Sequence, residues 1–280
     1  MITDNYTNNV YFSSILPERC PVLNASITEA LNKRGIRFGY LAGTKDIWCR
    51  DYMPIQVEND LFISYRYTPD YLQDERYIRQ QTNPEEVLQL EHNQLKSLLP
   101  LVQEVDLVID GGNVVKCDDV VVMTEKVFVE NREKTRGDVE RILREVFKCD
   151  IIFLPWDKKE FFGHSDGIVH YVGKGKILLT NYGDFSKDLY QRFREILESR
   201  FNVITLKYNF KRFHARSWSY INFLQVGDSV FFPQLGLDED LQAIEQISAA
   251  LPECEVIGIP ALEAVRRGGA LNCISWNIRQ

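Results

Sequence analysis

One cysteine, one histidine and three aspartates in this chain are of types that could do chemistry together. They are Cys273 in "GGALNCIS", His164 and Asp166 in "FFGHSDGIVH", Asp51 in "DIWCRDYMP" and Asp110 in "LVIDGGNVV". Singly, each has a plain structural reading. Cys273 lies among Leu, Ile and Trp, where most thiols are simply buried. Asp110 ends an apolar run before two glycines, as in a turn, and Asp51 beside Arg50 and Trp48 reads as an ion pair on a packed edge. His164 and Asp166 are two apart and would share one face of a strand. A carboxylate beside an imidazole favours the protonated ring, which makes a usable general acid near neutral pH.

As a set, these residues suit a guanidinium. That cation stays protonated at physiological pH and presents a planar fork of donors, so holding it out of water takes opposed carboxylates. A thiolate whose pKa is lowered by a neighbouring cation could attack the carbon held between them. The competing reading is a metal-dependent hydrolase built on His164, Asp166 and His170, although no third strong ligand is adjacent in sequence.

Asp51, Asp110, Asp166, Asn222 and Cys273 are separated by 59, 56, 56 and 51 positions. Helical patterns recur at a similar interval: "NASITEALNKRG", "NPEEVLQLEHNQLKSLLP", "TRGDVERILREVF", "SKDLYQRFREILESRF" and "LDEDLQAIEQISAALP". The last places Leu237, Leu241, Ile244 and Ile247 along one stripe. Between the helices, "DGGNVVKCDDVVVMTE", "DGIVHYVGKGKILLTN" and "YINFLQVGDSVFFPQ" read as hairpins. The periodicity predicts five α/β units, each one helix with about three strands, whose equivalent positions converge on a central cleft. Asn222 either lines that cleft or stabilises a strand end. No linker splits the chain, so residues 1–280 are expected to form a single domain.

Of the 280 residues, 45% are hydrophobic and 26% charged, as in an ordinary globular protein, and the net charge of -7 disfavours nucleic acid as a partner. No stretch has the length of apolar residues that a membrane helix needs, and the N-terminus lacks the pattern of a signal peptide. The expected location is cytoplasmic. Six cysteines show neither a CxxC pair nor zinc spacing. The sequence is compatible with a homo-oligomer.

Together, "DIWCRDYMP", "IDGGNVV", "GHSDGIVHYV", "VFFPQLGLDEDLQAIEQISAALPECEVIGIPA" and "GGALNCIS" resemble the agmatine deiminase and bacterial peptidylarginine deiminase family of guanidine-modifying enzymes. The resemblance implies the pentein fold, five ββαβ units about a pseudo-fivefold axis, and a small cationic guanidino substrate with no metal or organic cofactor. Agmatine, converted to N-carbamoylputrescine and ammonia, is the expected substrate. The alternatives are peptidylarginine or another guanidine, or a non-catalytic binding protein on the same fold. By the same resemblance Cys273 is the nucleophile, His164 the acid and base, and Asp110 the residue that orients His164. Asp51 and Asp166 grip the guanidinium, with Trp48 beside the substrate. The chain departs from the family pattern at three places: Asp110 where many relatives carry Glu, Met53 where they carry Gly before the proline, and Asn272 where agmatine deiminases often carry His. Free arginine would call for a carboxylate clamp, for which Arg212, Arg216 and Arg266 are candidates.

Overall fold

The computed structural model describes residues 1–95, 98–210 and 215–280. Its strands form five three-stranded sheets of one design, in the orders β15-β1-β2, β3-β4-β5, β6-β7-β8, β9-β10-β11 and β12-β13-β14. In sequence the strands are β1 (Asn9–Ser13), β2 (Arg37–Leu41), β3 (Ile55–Gln56), β4 (Leu61–Arg66) and β5 (Leu101–Val108). They continue with β6 (Val115–Cys117), β7 (Val120–Thr124), β8 (Asp150–Leu154), β9 (Val169–Tyr171) and β10 (Lys176–Leu179). The last are β11 (Asn202–Thr205), β12 (Leu224–Val226), β13 (Ser229–Gln234), β14 (Glu255–Pro260) and β15 (Ser275–Ile278). Within every sheet the first strand pairs antiparallel with the second and the second parallel with the third. The parallel pair needs a crossover, which a helix supplies. This is the pentein architecture expected from the sequence.

The first blade is closed by the end of the sequence. β15 pairs antiparallel with β1, from Asn9 opposite Ile278 to Phe12 opposite Ser275. A strand this late in the chain completes a sheet begun at its start, and Cys273 lies two residues before it. The same relation holds in the other blades: Asp51, Asp110, Asp166 and Asn222 all fall just ahead of their blade's first strand. These first strands, like the middle ones, are largely buried, whereas the third strands are partly exposed.

Four crossover helices form where the amphipathic patterns place them: Pro21–Arg34, Arg136–Phe147, Lys187–Glu198 and Glu239–Ala250. Thr135 and Ser186 cap two of them, accepting from the backbone N–H groups of Asp138 and Leu189. The helix Pro21–Arg34 stops at Gly35, whose φ of 67° is one that glycine adopts without strain. It packs against β14 of the fifth blade, so Leu23 and Ile27 share one core with Phe231, Phe232 and Ile247.

Two expectations fail. The long helix expected from Asn83 onward is only Pro84–Gln89, followed by a 3-10 turn at Glu91–Asn93. Asn93 uses its side chain to bridge the backbone of Ala42 and Val87, and Gln94 is left-handed, which ends the helical path. Lys96 and Ser97 of that stretch lie outside the described residues. In the helix Glu239–Ala250, Leu241 is 71% exposed, and the buried face is Ala243, Ile247 and Ala250. Asp240 holds its first turn down by accepting from the backbone N–H groups of Leu235 and Gly236 and from the hydroxyl of Tyr220.

Candidate active site

The segments ahead of four of the five first strands line one cavity of about 800 Å³, and the fifth, which carries Asp110, lies behind it. Trp48, Asp51, His164, Asp166, Asn222 and Cys273 line the cavity, with aromatic walls from Tyr71, Trp156, Phe162, Tyr182 and Trp218. Asp110 stands behind His164, fully out of reach of solvent. All seven residues expected at the site are therefore brought together, although not by the local structure expected. His164 and Asp166 flank the start of a 3-10 turn, Ser165–Gly167, instead of sharing a strand face. Asp51 belongs to a short helix, Cys49–Tyr52, that ends before Pro54.

Two of the glycines in the quoted motifs are required by close approach. A Cβ on Gly112 would lie 2.6 Å from both Asp51 Oδ1 and His164 Nδ1, and one on Gly269 would run into the indole of Trp48. Gly112 also donates its N–H to Asp51 Oδ1 at 3.0 Å. The glycine pair after Asp110 thus lets the aspartate and histidine loops meet.

His164 Nε2 lies 3.0 Å from Asp110 Oδ2, and Nδ1 lies 3.6 Å from Asp51 Oδ1. Burial disfavours the charged ring, but Asp51 and Asp110 outweigh it and raise the His164 pKa to about 9. For Asp110, burial opposes ionisation, yet the bonds from His164 and the charge of Lys126 hold its carboxyl below the usual range. The shorter side chain at 110 therefore reaches the imidazole directly. Asp51, buried between other carboxylates, is pushed up by burial to about 7 against the pull of His164.

Cys273 Sγ lies 3.4 Å from Asp166 Oδ2. Burial first, then the charges of Asp166 and Asp51, push its thiol well above the ordinary value. Asp166 also accepts from Asn272 Nδ2 at 2.8 Å, and Asn272 Oδ1 accepts from Arg50 Nη2 at 2.8 Å. Arg50 reaches on to Asn277 Oδ1 at 2.7 Å, so it braces the cysteine loop instead of pairing with Asp51. Asn222, fully buried, spends its amide on the backbone: Oδ1 accepts from the N–H groups of Ala270 and Cys273, and Nδ2 donates to the carbonyl of Asp166.

His170 is occupied elsewhere. Its ring packs against Phe223 with centroids 3.9 Å apart and the planes tilted by 36°, and burial lowers its pKa to about 4. Among the described residues no three His, Cys, Asp or Glu side chains are grouped to hold a metal ion. Of the arginines considered for a carboxylate clamp, Arg266 lines the cavity, Arg216 is exposed and does not line it, and Arg212 lies outside the described residues. Sequence reasoning missed Lys126, a fully buried cation behind Asp110, because its spacing to Glu130 is that of an ordinary surface pair.

The profile of the Porphyromonas-type peptidyl-arginine deiminase family matches residues 19–278. A protein of Listeria monocytogenes provisionally named agmatine deiminase 1 is 24% identical over 213 residues, 62% of this chain. That alignment spans only 58% of the relative's length. Among solved structures, a C. jejuni agmatine deiminase superposes with a TM-score of 0.73 at 19% identity, covering 100% of this chain and 95% of that one. The agmatine deiminase of Enterococcus faecalis does so with a TM-score of 0.71 at 17% identity, covering 99% and 94%. The chain belongs to the Porphyromonas-type peptidyl-arginine deiminase family.

Proposed function

We propose that the protein hydrolyses a guanidino C–N bond, with agmatine as substrate and N-carbamoylputrescine and ammonia as products. The observation that carries this reading is the juxtaposition of Cys273 and His164 with Asp51 and Asp166 in one cavity. Buried carboxylates are costly without a counter-charge, and a guanidinium between Asp51 and Asp166 supplies it. The same cation offsets the charges that, after burial, hold the Cys273 thiol protonated, so the thiol ionises as substrate binds and its proton leaves to solvent.

Cys273 Sγ then attacks the guanidino carbon. His164, an imidazolium at neutral pH, gives its proton to the departing nitrogen as the C–N bond breaks and ammonia leaves. Nε2 is held by Asp110, which leaves Nδ1 to face the reacting group. The neutral imidazole next takes a proton from water, whose oxygen attacks the same carbon of the thiouronium. The C–S bond breaks, the urea product departs and the cysteine is regenerated.

Arg266 at the cavity favours a second reading, a guanidino substrate that carries a carboxylate. A panel of agmatine, arginine, an arginyl peptide, methylarginines and guanidinobutyrate separates the two. Ammonia release from agmatine alone supports the first reading, and release from arginine that falls in Arg266→Ala supports the second. Expression as a cytoplasmic protein and a role in putrescine formation accompany the first reading.

A further inference from the structure

Lys126 follows β7 and is 0% exposed, yet three carboxylates surround its ammonium: Asp70 Oδ1 at 3.0 Å, Asp110 Oδ2 at 3.1 Å and Glu130 Oε1 at 3.2 Å. Asp110 uses that one oxygen for both Lys126 and His164, and among the described residues its Oδ1 has no partner. Among the described residues, the direction of the Asp110 carboxylate is thus fixed from two sides, the imidazole and the lysine. The third carboxylate belongs to a different part of the molecule. Asp70 is half exposed and sits at the start of a 3-10 turn, Asp70–Leu72, in the segment between β4 and the helix Pro84–Gln89. The next residue, Tyr71, lines the cavity, packs on Phe162 and His164, and offers its ring to Lys126 at 4.9 Å.

We propose that Lys126 is a positioning residue that clasps the Asp70–Tyr71 turn over the cavity and at the same time aims Asp110 at His164. The inference rests on the deimination reading for its role in turnover, but the clasp itself is a property of the free protein. The charged groups involved are few. Asp51 and Asp110 face His164 directly, Asp166 and Cys273 share its cavity, and Tyr71 covers its ring. Behind Asp110 stand Lys126 and Glu130, with Asp70 beyond them. Glu130 is pushed up to about 8, by burial first and then by Asp110, so Asp110 and Asp70 are the main anionic partners of the ammonium. With the lysine charge removed, the imidazolium is the nearest cation left to Asp110, and it holds its proton to higher pH.

The test compares wild type with Lys126→Met and Asp70→Asn. The His164 titration is followed by NMR with labelled histidine. The rate at which iodoacetamide alkylates Cys273 is read from the Cys273 peptide by mass spectrometry. The clasp predicts that Lys126→Met moves the His164 titration upward by about one pH unit. It also predicts that both variants alkylate at Cys273 at least about threefold faster, because the covering turn is released. An unmoved titration in a folded Lys126→Met, or an unchanged alkylation rate in Asp70→Asn, overturns the proposal. If Lys126→Met does not fold, the Asp70→Asn rate decides alone. Should no guanidino compound be turned over while both shifts appear, the deimination reading falls and the clasp stands.

Discussion

Cys273 Sγ and Asp166 Oδ2 are 3.4 Å apart in a buried site, so the resting protein keeps its thiol beside a carboxylate, which disfavours the thiolate. On the proposed mechanism, a thiol held this way is quiet until a cation arrives. Replacing Asp166 by Asn should therefore separate two quantities that usually move together. Alkylation of Cys273 without substrate should become faster, while kcat/KM for the guanidino substrate should fall by at least about 10²-fold, because one of the two guanidinium grips is gone. A parallel fall in both would contradict the account.

The pH dependence follows from His164. Its folded pKa of about 9 lies above the ordinary 6.5, so the imidazolium is present through neutrality and is lost as pH rises through about 9. The alkaline limb of kcat/KM should fall there. The same raised value means that the charged ring's contribution to stability is fully present below about 6.5 and is lost through about 9. Asp110→Asn removes one carboxylate that raises this value, so the limb should move to lower pH. A pH profile of the two proteins checks the direction.

On the proposed mechanism, binding should survive loss of Cys273. In Cys273→Ala the two aspartates remain, and substrate at about 100 times its Kd should add about 2.7 kcal/mol of stability, visible as a rise in Tm. A chelator should leave that rise unchanged. No rise with any guanidine in the panel would remove Asp51 and Asp166 from the binding role.

Closure of the first blade makes a prediction about stability. Trp276 in β15 is 3% exposed, packs with Tyr11 and Phe62, and donates its indole N–H to the carbonyl of Pro54 at 2.8 Å. Trp276→Ala should cost about 3–5 kcal/mol in denaturant unfolding. A cost within about 0.5 kcal/mol would mean that the β1–β15 pairing contributes little to stability.

The fivefold plan was legible because each blade repeats one pattern, a chemically distinctive residue followed by a hairpin and an amphipathic helix. The second blade was misread because proline and acidic residues signal a helix start, while the Asn93 side chain that ends the helix bonds the backbone of distant Ala42 as well as that of nearby Val87. Leu241 was misread because an aspartate, with three donors brought to it by the fold, took the place of a leucine as the anchor. At the site, residue types and phase singled out Asp51, Asp110, Asp166, Asn222 and Cys273, whereas the place of Asp110 behind the imidazole was what the family resemblance implied. Residue types and phase could not identify Lys126, since a buried lysine has the same letter as an exposed one. Nor could they show that Arg50 braces Asn272 instead of pairing with its neighbour Asp51.

The most direct test is ammonia release from the guanidine panel by wild type and Cys273→Ala, with and without chelator. A thiol deiminase turns over agmatine with an activity that disappears with Cys273 and is indifferent to the chelator. Full activity in Cys273→Ala, or activity abolished by the chelator, would contradict this mechanism.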